Sequence, residues 1–168
     1  VVMNKFISVI NWVLSTLCVA LSSFLVICVI WQVLSRYILN TPSTYTDEIA
    51  RFLFIWVGLM GAAYALGRKK HLAIDLLVNK FENSPINQNR LQLIINLISV
   101  SFAAVIMCYG GFKLVIDTVN NGQISPVIGI QMGLVYLAIP LSGCFMLLYL
   151  LRDIINNIHS MNAVHQGE

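Results

Sequence analysis

Residues 44–75 read TYTDEIARFLFIWVGLMGAAYALGRKKHLAID. A charged cluster (Asp47, Glu48, Arg51) opens the stretch, and sixteen uncharged residues separate Arg51 from Arg68. As a helix those sixteen reach only ~24 Å at 1.5 Å per residue, short of a hydrocarbon core of ~30 Å. A helix begun at Thr44, directly after the turn signal Asn40-Thr41-Pro42-Ser43, and carried to Gly67 has 24 residues and reaches ~36 Å. It crosses a bilayer, but it carries Asp47, Glu48 and Arg51 in or near one membrane interface. Thr44 and Asp47 are spaced as a capping box. At the other end Arg68, Lys69, Lys70 and His71 form a basic clamp, expected to anchor the helix on the cytoplasmic side.

Composition extends this reading to the whole chain. Of 168 residues, 58% are hydrophobic and 10% charged, and the mean hydropathy is +0.82. Soluble domains carry roughly 25% charged residues. The sequence therefore predicts an all-α integral membrane protein with no room for a soluble catalytic domain. Thirty uncharged residues lie between Lys5 and Arg36, twenty-two between Arg90 and Lys113, and thirty-four between Asp117 and Arg152. With about 20 apolar residues needed per span, the expectation is one domain over 1–168 with spans at 8–35, 44–67, 91–114 and 127–151. Ile74, Leu77, Val78 and Phe81 recur at helical spacing opposite Asp75, Asn79 and Glu82. That pattern predicts a short amphipathic helix over 72–82, lying in the membrane surface. Pro140 is expected to kink span four.

With four spans, seven of the ten Lys and Arg residues fall on the side of the termini and the 68–90 loop. That asymmetry puts both termini in the cytoplasm. The net charge of +3 is thus a topology signal and not a nucleic-acid footprint. The first apolar run is too long for a signal peptide and lacks a small-residue cleavage site, so it is expected to stay as a span. Trp12 and Trp31 near its two ends suit the aromatic belts of membrane interfaces.

The centres of the expected spans contain no Asp, Glu, Lys or His. Proton relays and coupled antiporters need such a group at mid-depth. His71, His159 and His165 all fall outside the spans, which disfavours haem. No nucleophile-elbow, phosphate-loop or zinc-protease motif is present. The expectation is no catalytic residue, no metal site and no cofactor in this chain. Cys18, Cys28, Cys108 and Cys144 all lie in expected spans and read as small apolar filler.

What the spans do carry is small residues. Gly58, Gly61, Ala62 and Ala65 lie on one stripe of span two, a pattern that lets helix backbones approach closely in lipid. Gly129/Gly133 and Ala138/Ser142 repeat it in span four. One such stripe is explained by packing inside a four-helix bundle; two point to an external partner. Trp56 on span two, with Ile74, Leu77 and Phe81 on the amphipathic helix, extends the candidate partner interface. Asp47 and Glu48 each face Arg51 at i, i+4 and i, i+3. The cluster reads either as capping and topology or as a docking site, with Arg36 and Tyr37 at the end of span one as further candidates. Lys113 and Asp117 have the spacing of a local ion pair.

Taken in order, Arg36-Tyr37, Pro42, Asp47-Glu48, Ala50-Arg51, Trp56, Gly61-Ala62, His71 and Asp75, with Tyr136 and Pro140 in span four, resemble the small membrane subunit of tripartite ATP-independent periplasmic (TRAP) transporters, the DctQ-like family. Members commonly have Trp where Tyr45 stands, and often two glutamates at 47 and 48. The resemblance covers about residues 8–153 and looks most like sialic-acid members. It implies a four-span inner-membrane subunit without a catalytic site. It also implies two protein partners, besides the lipid bilayer: a large membrane subunit that holds the substrate and sodium sites, and a periplasmic binding protein that delivers an organic acid. The competing expectations are a self-sufficient small homo-oligomeric carrier or channel, and a membrane enzyme or redox subunit.

Overall fold

The computed structural model describes residues 2–68 and 94–165, with side chains over 7–68 and 94–155. The described residues form four helical spans and no strand. They are α1 (Val2–Tyr37), α2 (Thr44–Gly67), α3 (Ile94–Asn120), and a fourth span broken into α4 (Met132–Tyr136) and α5 (Ala138–His165). The expected amphipathic helix with Ile74, Leu77 and Phe81 lies outside the described residues, as do Lys69, Lys70 and His71. α2 has the length the charge bracket demanded. α3 runs past the expected end at 114, to Asn120, and the fourth span begins at Met132 because residues 121–131 fold into a compact loop.

That loop is closed by a single antiparallel bridge between Ile124 and Gln131, with Ser125 N–H donating to the Ile130 carbonyl at 2.8 Å and Met132 N–H to that of Gln123 at 3.0 Å. Gly129 sits in it at φ +76°, a conformation in which a side chain is strained. It is therefore not half of a helical Gly129/Gly133 pair. The break between α4 and α5 falls at Leu137. Pro140 has no N–H, so the carbonyl of Tyr136 loses its partner four residues on.

The four spans do not close into a bundle. α1 packs on α2, α2 on α4 and α5, and α5 on α3; among the described residues no backbone contact joins α1 to α3 or to α5. The result is a row with α5 in its interior. Of the most apolar part of each span, 39% is buried in the fourth but only 11% in the first. Such a row offers two broad apolar faces to whatever surrounds it.

Glycine sets the closeness of the row where it is tight. A Cβ at Gly143 of α5 would lie 2.7 Å from Met107 Cβ and 3.3 Å from the Cys108 amide nitrogen of α3. One at Gly111 would meet Ile139 and the Pro140 ring at 3.0 Å. Over this contact α3 is wound as a π-helix, Phe102–Gly110, a widened turn that usually marks a local packing or functional demand. Ala138 and Ser142 are fully buried, so that small-residue pair is used inside the chain.

At the terminal end, Tyr149 fastens three helices. Its hydroxyl donates to Asn11 Oδ1 on α1 at 2.6 Å, and its ring occupies the place where a Gly67 Cβ would be. Around it lie Ile7, Leu14 and Met60, with Trp56, Tyr64 and Phe145 packed on them. Tyr149→Phe is expected to keep the packing and lose about 1 kcal/mol for the hydrogen bond. The check is a few-degree drop in the midpoint of thermal unfolding in detergent.

Candidate functional site

α2 presents two unlike sides. Ala63 and Met60 are turned inward and buried; Arg51, Phe54, Gly58 and Ala62 form an exposed stripe at helical spacing, with Gly61 and Ala65 half-buried beside it. A Cβ placed on Gly58 or Gly61 would find none of the described residues within 4 Å. Among the described residues nothing packs on Gly58 or Gly61, in contrast to Gly111 and Gly143. The stripe runs on into an apolar groove of about 660 Å³ between α1 and α2, walled by Val26, Val29 and Ile30 on one side and Ala50, Phe54 and Ile55 on the other.

Asp47 and Arg51 close this groove at the loop end. They form an ion pair, with the Arg51 side chain 73% exposed. Asp47 also accepts a hydrogen bond from Gln32 Nε2 at 2.7 Å, which ties α1 to α2. The expected capping box does not form: the N-cap is Ser43, it makes no side-chain cap bond, and the Asp47 carboxylate is spent on Gln32 and Arg51 instead. Arg36 reaches the same region, where a small cleft of about 80 Å³ is lined by Gln32, Arg36, Ser43 and Asp47. Tyr37, Ile38, Leu39 and Tyr45 stand 55–75% exposed around it.

Glu48, one residue on, does something different. A step of about 100° along the helix turns it away from the groove and buries it against the 121–131 loop. Its Oε2 accepts the Val127 N–H at 3.2 Å and the Ile128 N–H at 3.0 Å. It is a clamp on the loop and does not pair with Arg51. Glu48→Ala strands the Val127 amide and leaves the Ile128 amide only Ser125 Oγ at 3.3 Å, and an orphaned buried donor costs about 1–3 kcal/mol. The expected result is faster amide hydrogen exchange confined to residues 121–131, with α1 and α2 protection unchanged. Glu48→Gln keeps an acceptor oxygen and should lie between.

The remaining candidates divide. Trp56 packs on the Leu14 and Met60 cluster and borders a second groove of about 430 Å³ with Leu17, Phe52 and Leu134, on the side of α2 away from Gly58. Arg68 lies 5.9 Å from the ring centroid of Tyr64, a cation–π distance. Lys113 and Asp117 do not form the ion pair their spacing suggested. Gln32 was overlooked, yet its signal was present: Asn11 and Gln32 are the two side-chain amides in the charge-free run of α1, and each reaches another helix.

Four spans whose centres carry no Asp, Glu, Lys, Arg or His, with an exposed small-residue stripe, are the marks of a membrane subunit built to be packed against. Residues 25–160 match the family described as tripartite ATP-independent periplasmic transporters, DctQ component. The chain belongs to this family. A TRAP transporter small permease protein of Haemophilus influenzae is 30% identical over 155 residues, 89% of each chain. The sialic acid TRAP transporter small permease protein SiaQ of Vibrio cholerae is 29% identical over 152 residues, 88% of this chain and 83% of that one. The isethionate TRAP transporter permease protein DctMQ of Oleidesulfovibrio alaskensis is 25% identical over 146 residues, which are only 22% of its length. There, a DctQ-like segment is part of one much longer permease chain. As a DctQ-family member this chain is a multi-pass membrane component of a TRAP transporter, and its relatives are transporter subunits and not enzymes.

Proposed function

We propose that this chain is the small scaffold subunit of a sodium-coupled TRAP transporter for an organic acid such as sialic acid. It sits in the cell inner membrane with both termini in the cytoplasm. The α1–α2 groove and the Gly58/Ala62 stripe receive helices of the large permease subunit, which holds the substrate and sodium sites and moves the solute. This chain braces it. The observation that carries the reading is that Gly58 and Gly61 have open space around them among the described residues, while Gly111, Gly133 and Gly143 sit hard against neighbouring helices. Small residues that approach none of the described residues are explained by close approach of another helix. An exposed Asp47–Arg51 pair beside the groove is poorly suited to hydrocarbon and well suited to a protein contact. The fused DctMQ relative supports the same adjacency, because it joins the two kinds of segment in one chain.

At the loop end, Arg36, Tyr37 and Tyr45 with the Glu48-clamped loop form the surface on which the periplasmic binding protein docks. The clamp gives that surface a fixed shape. Transport in liposomes tests the whole proposal. Purified chain alone should move no solute. The large subunit alone should be weak or unstable, and the two together should transport sialic acid on a sodium gradient when binding protein is present. Uptake by this chain alone would favour a homo-oligomeric carrier and overturn the scaffold role.

A further inference from the structure

The four cysteines are not equivalent. Cys18 and Cys28 stand on α1 without a thiol beside them, whereas Cys108 of α3 and Cys144 of α5 face each other with Sγ atoms 3.9 Å apart. We propose that Cys108 and Cys144 form a dithiol site that a membrane-permeant hydroperoxide closes into a disulfide, stapling α3 to α5.

Three independent features build the site. The thiols are already in contact, so closing the bond asks each Sγ to swing by roughly 1 Å toward a bond of about 2.05 Å. The backbones are already close: the Cβ position of Gly143, next to Cys144, lies 3.3 Å from the Cys108 nitrogen and 3.1 Å from its Sγ. A disulfide needs its Cα atoms within about 4.4–6.8 Å, and a glycine at this point removes the side chain that would hold the helices apart. Finally, Cys108 lies within the π-helical run of α3, where the widened turn carries Met107 and Cys108 into α5.

Access gives the order of events. Cys144 is exposed on the surface of the row and Cys108 is half-buried. Both lie near the middle of their spans, where a neutral, lipid-soluble oxidant can reach and an ionic one cannot. The hydroperoxide transfers its terminal oxygen to Cys144, leaving as an alcohol and forming a sulfenic acid. Cys108 then attacks that sulfur; the S–S bond forms and water departs. In sum, two S–H bonds and one O–O bond break, both sulfurs are oxidised, and the hydroperoxide is reduced to alcohol and water. Among the described residues no base lies at the site to take the thiol proton, so the reaction is slow and acts as a stress mark, not a catalytic cycle.

The test uses the full chain in liposomes treated with cumene hydroperoxide, then denatured and alkylated with N-ethylmaleimide. The expected product carries two adducts, on Cys18 and Cys28, in place of the four of the untreated chain, and a peptide map joins Cys108 to Cys144. Dithiothreitol restores all four sites. Cys144→Ser should leave Cys108 alkylated after the same treatment, and it disturbs packing little because position 144 is exposed. Four adducts after exhaustive oxidation would overturn the proposal. So would loss of Cys18 and Cys28 at the same rate, or Cys108 linked to a second copy of the chain.

Discussion

Leucine at both Gly58 and Ala62 is expected to strip the large permease subunit from this chain while leaving the chain itself folded. The two halves of that outcome come from different observations. Gly58 has none of the described residues within 4 Å of its Cβ position and Ala62 is exposed, so the added side chains enter open space on the described surface. Apolar side chains facing lipid cost little, and thermal unfolding of the isolated chain should shift by no more than about 0.5 kcal/mol. In the complex the same positions meet a partner helix. Overpacking a close helix contact costs about 1–3 kcal/mol per site, and each 1.4 kcal/mol is about tenfold in affinity. Two sites together should reduce co-purification at least about tenfold. Undiminished co-purification from a normally expressed double mutant would remove this face from the interface.

Gly143→Val should do the reverse. Here the new Cβ lands 2.7 Å from Met107 Cβ and 3.3 Å from a backbone nitrogen. Carbon atoms prefer about 3.5–4.0 Å. The Met107 contact is decisive, because a Cβ is fixed to its backbone and no side-chain rotation moves it aside; relieving it, like relieving the contact with the Cys108 nitrogen, moves the π-helical turn of α3. A destabilisation near the upper end of overpacking costs, about 3 kcal/mol, is expected. Thermal unfolding in detergent, read beside Gly58→Val as the matched control, measures it. A Gly143→Val midpoint equal to that of Gly58→Val would mean that α3 and α5 are not so tightly joined. Gly133→Ala should be milder, since its clash is with the Val119 side chain, which can rotate.

These two glycines show what the residues alone could and could not say. The span count and the extent of α2 were readable because charge placement and bilayer thickness leave few solutions. The family was readable from ordered residues across two spans. The arrangement of the helices as an open row was not, because in lipid no hydrophobic pattern tells one neighbour from another. Gly58 and Gly143 look alike in the sequence, and only the fold tells open space from a backbone contact. Ala138/Ser142 was legible as a small-residue pair but not as one buried within the chain. Asp47 and Glu48 are adjacent, and a single helical step sends one to Gln32 and the other to the Val127 and Ile128 amides. Gln32 was discoverable, since an amide in a long apolar run needs a partner.

The most direct measurement is photocrosslinking from position 58. A photoreactive amino acid placed at Gly58, in membranes holding the complete transporter, should join this chain to the large permease subunit. The same group at Ile98, on the exposed side of α3, serves as the comparison and should give mainly lipid adducts. A crosslink from position 58 only to lipid, or only to a second copy of this chain, would contradict the proposal that this face is where the large subunit is held.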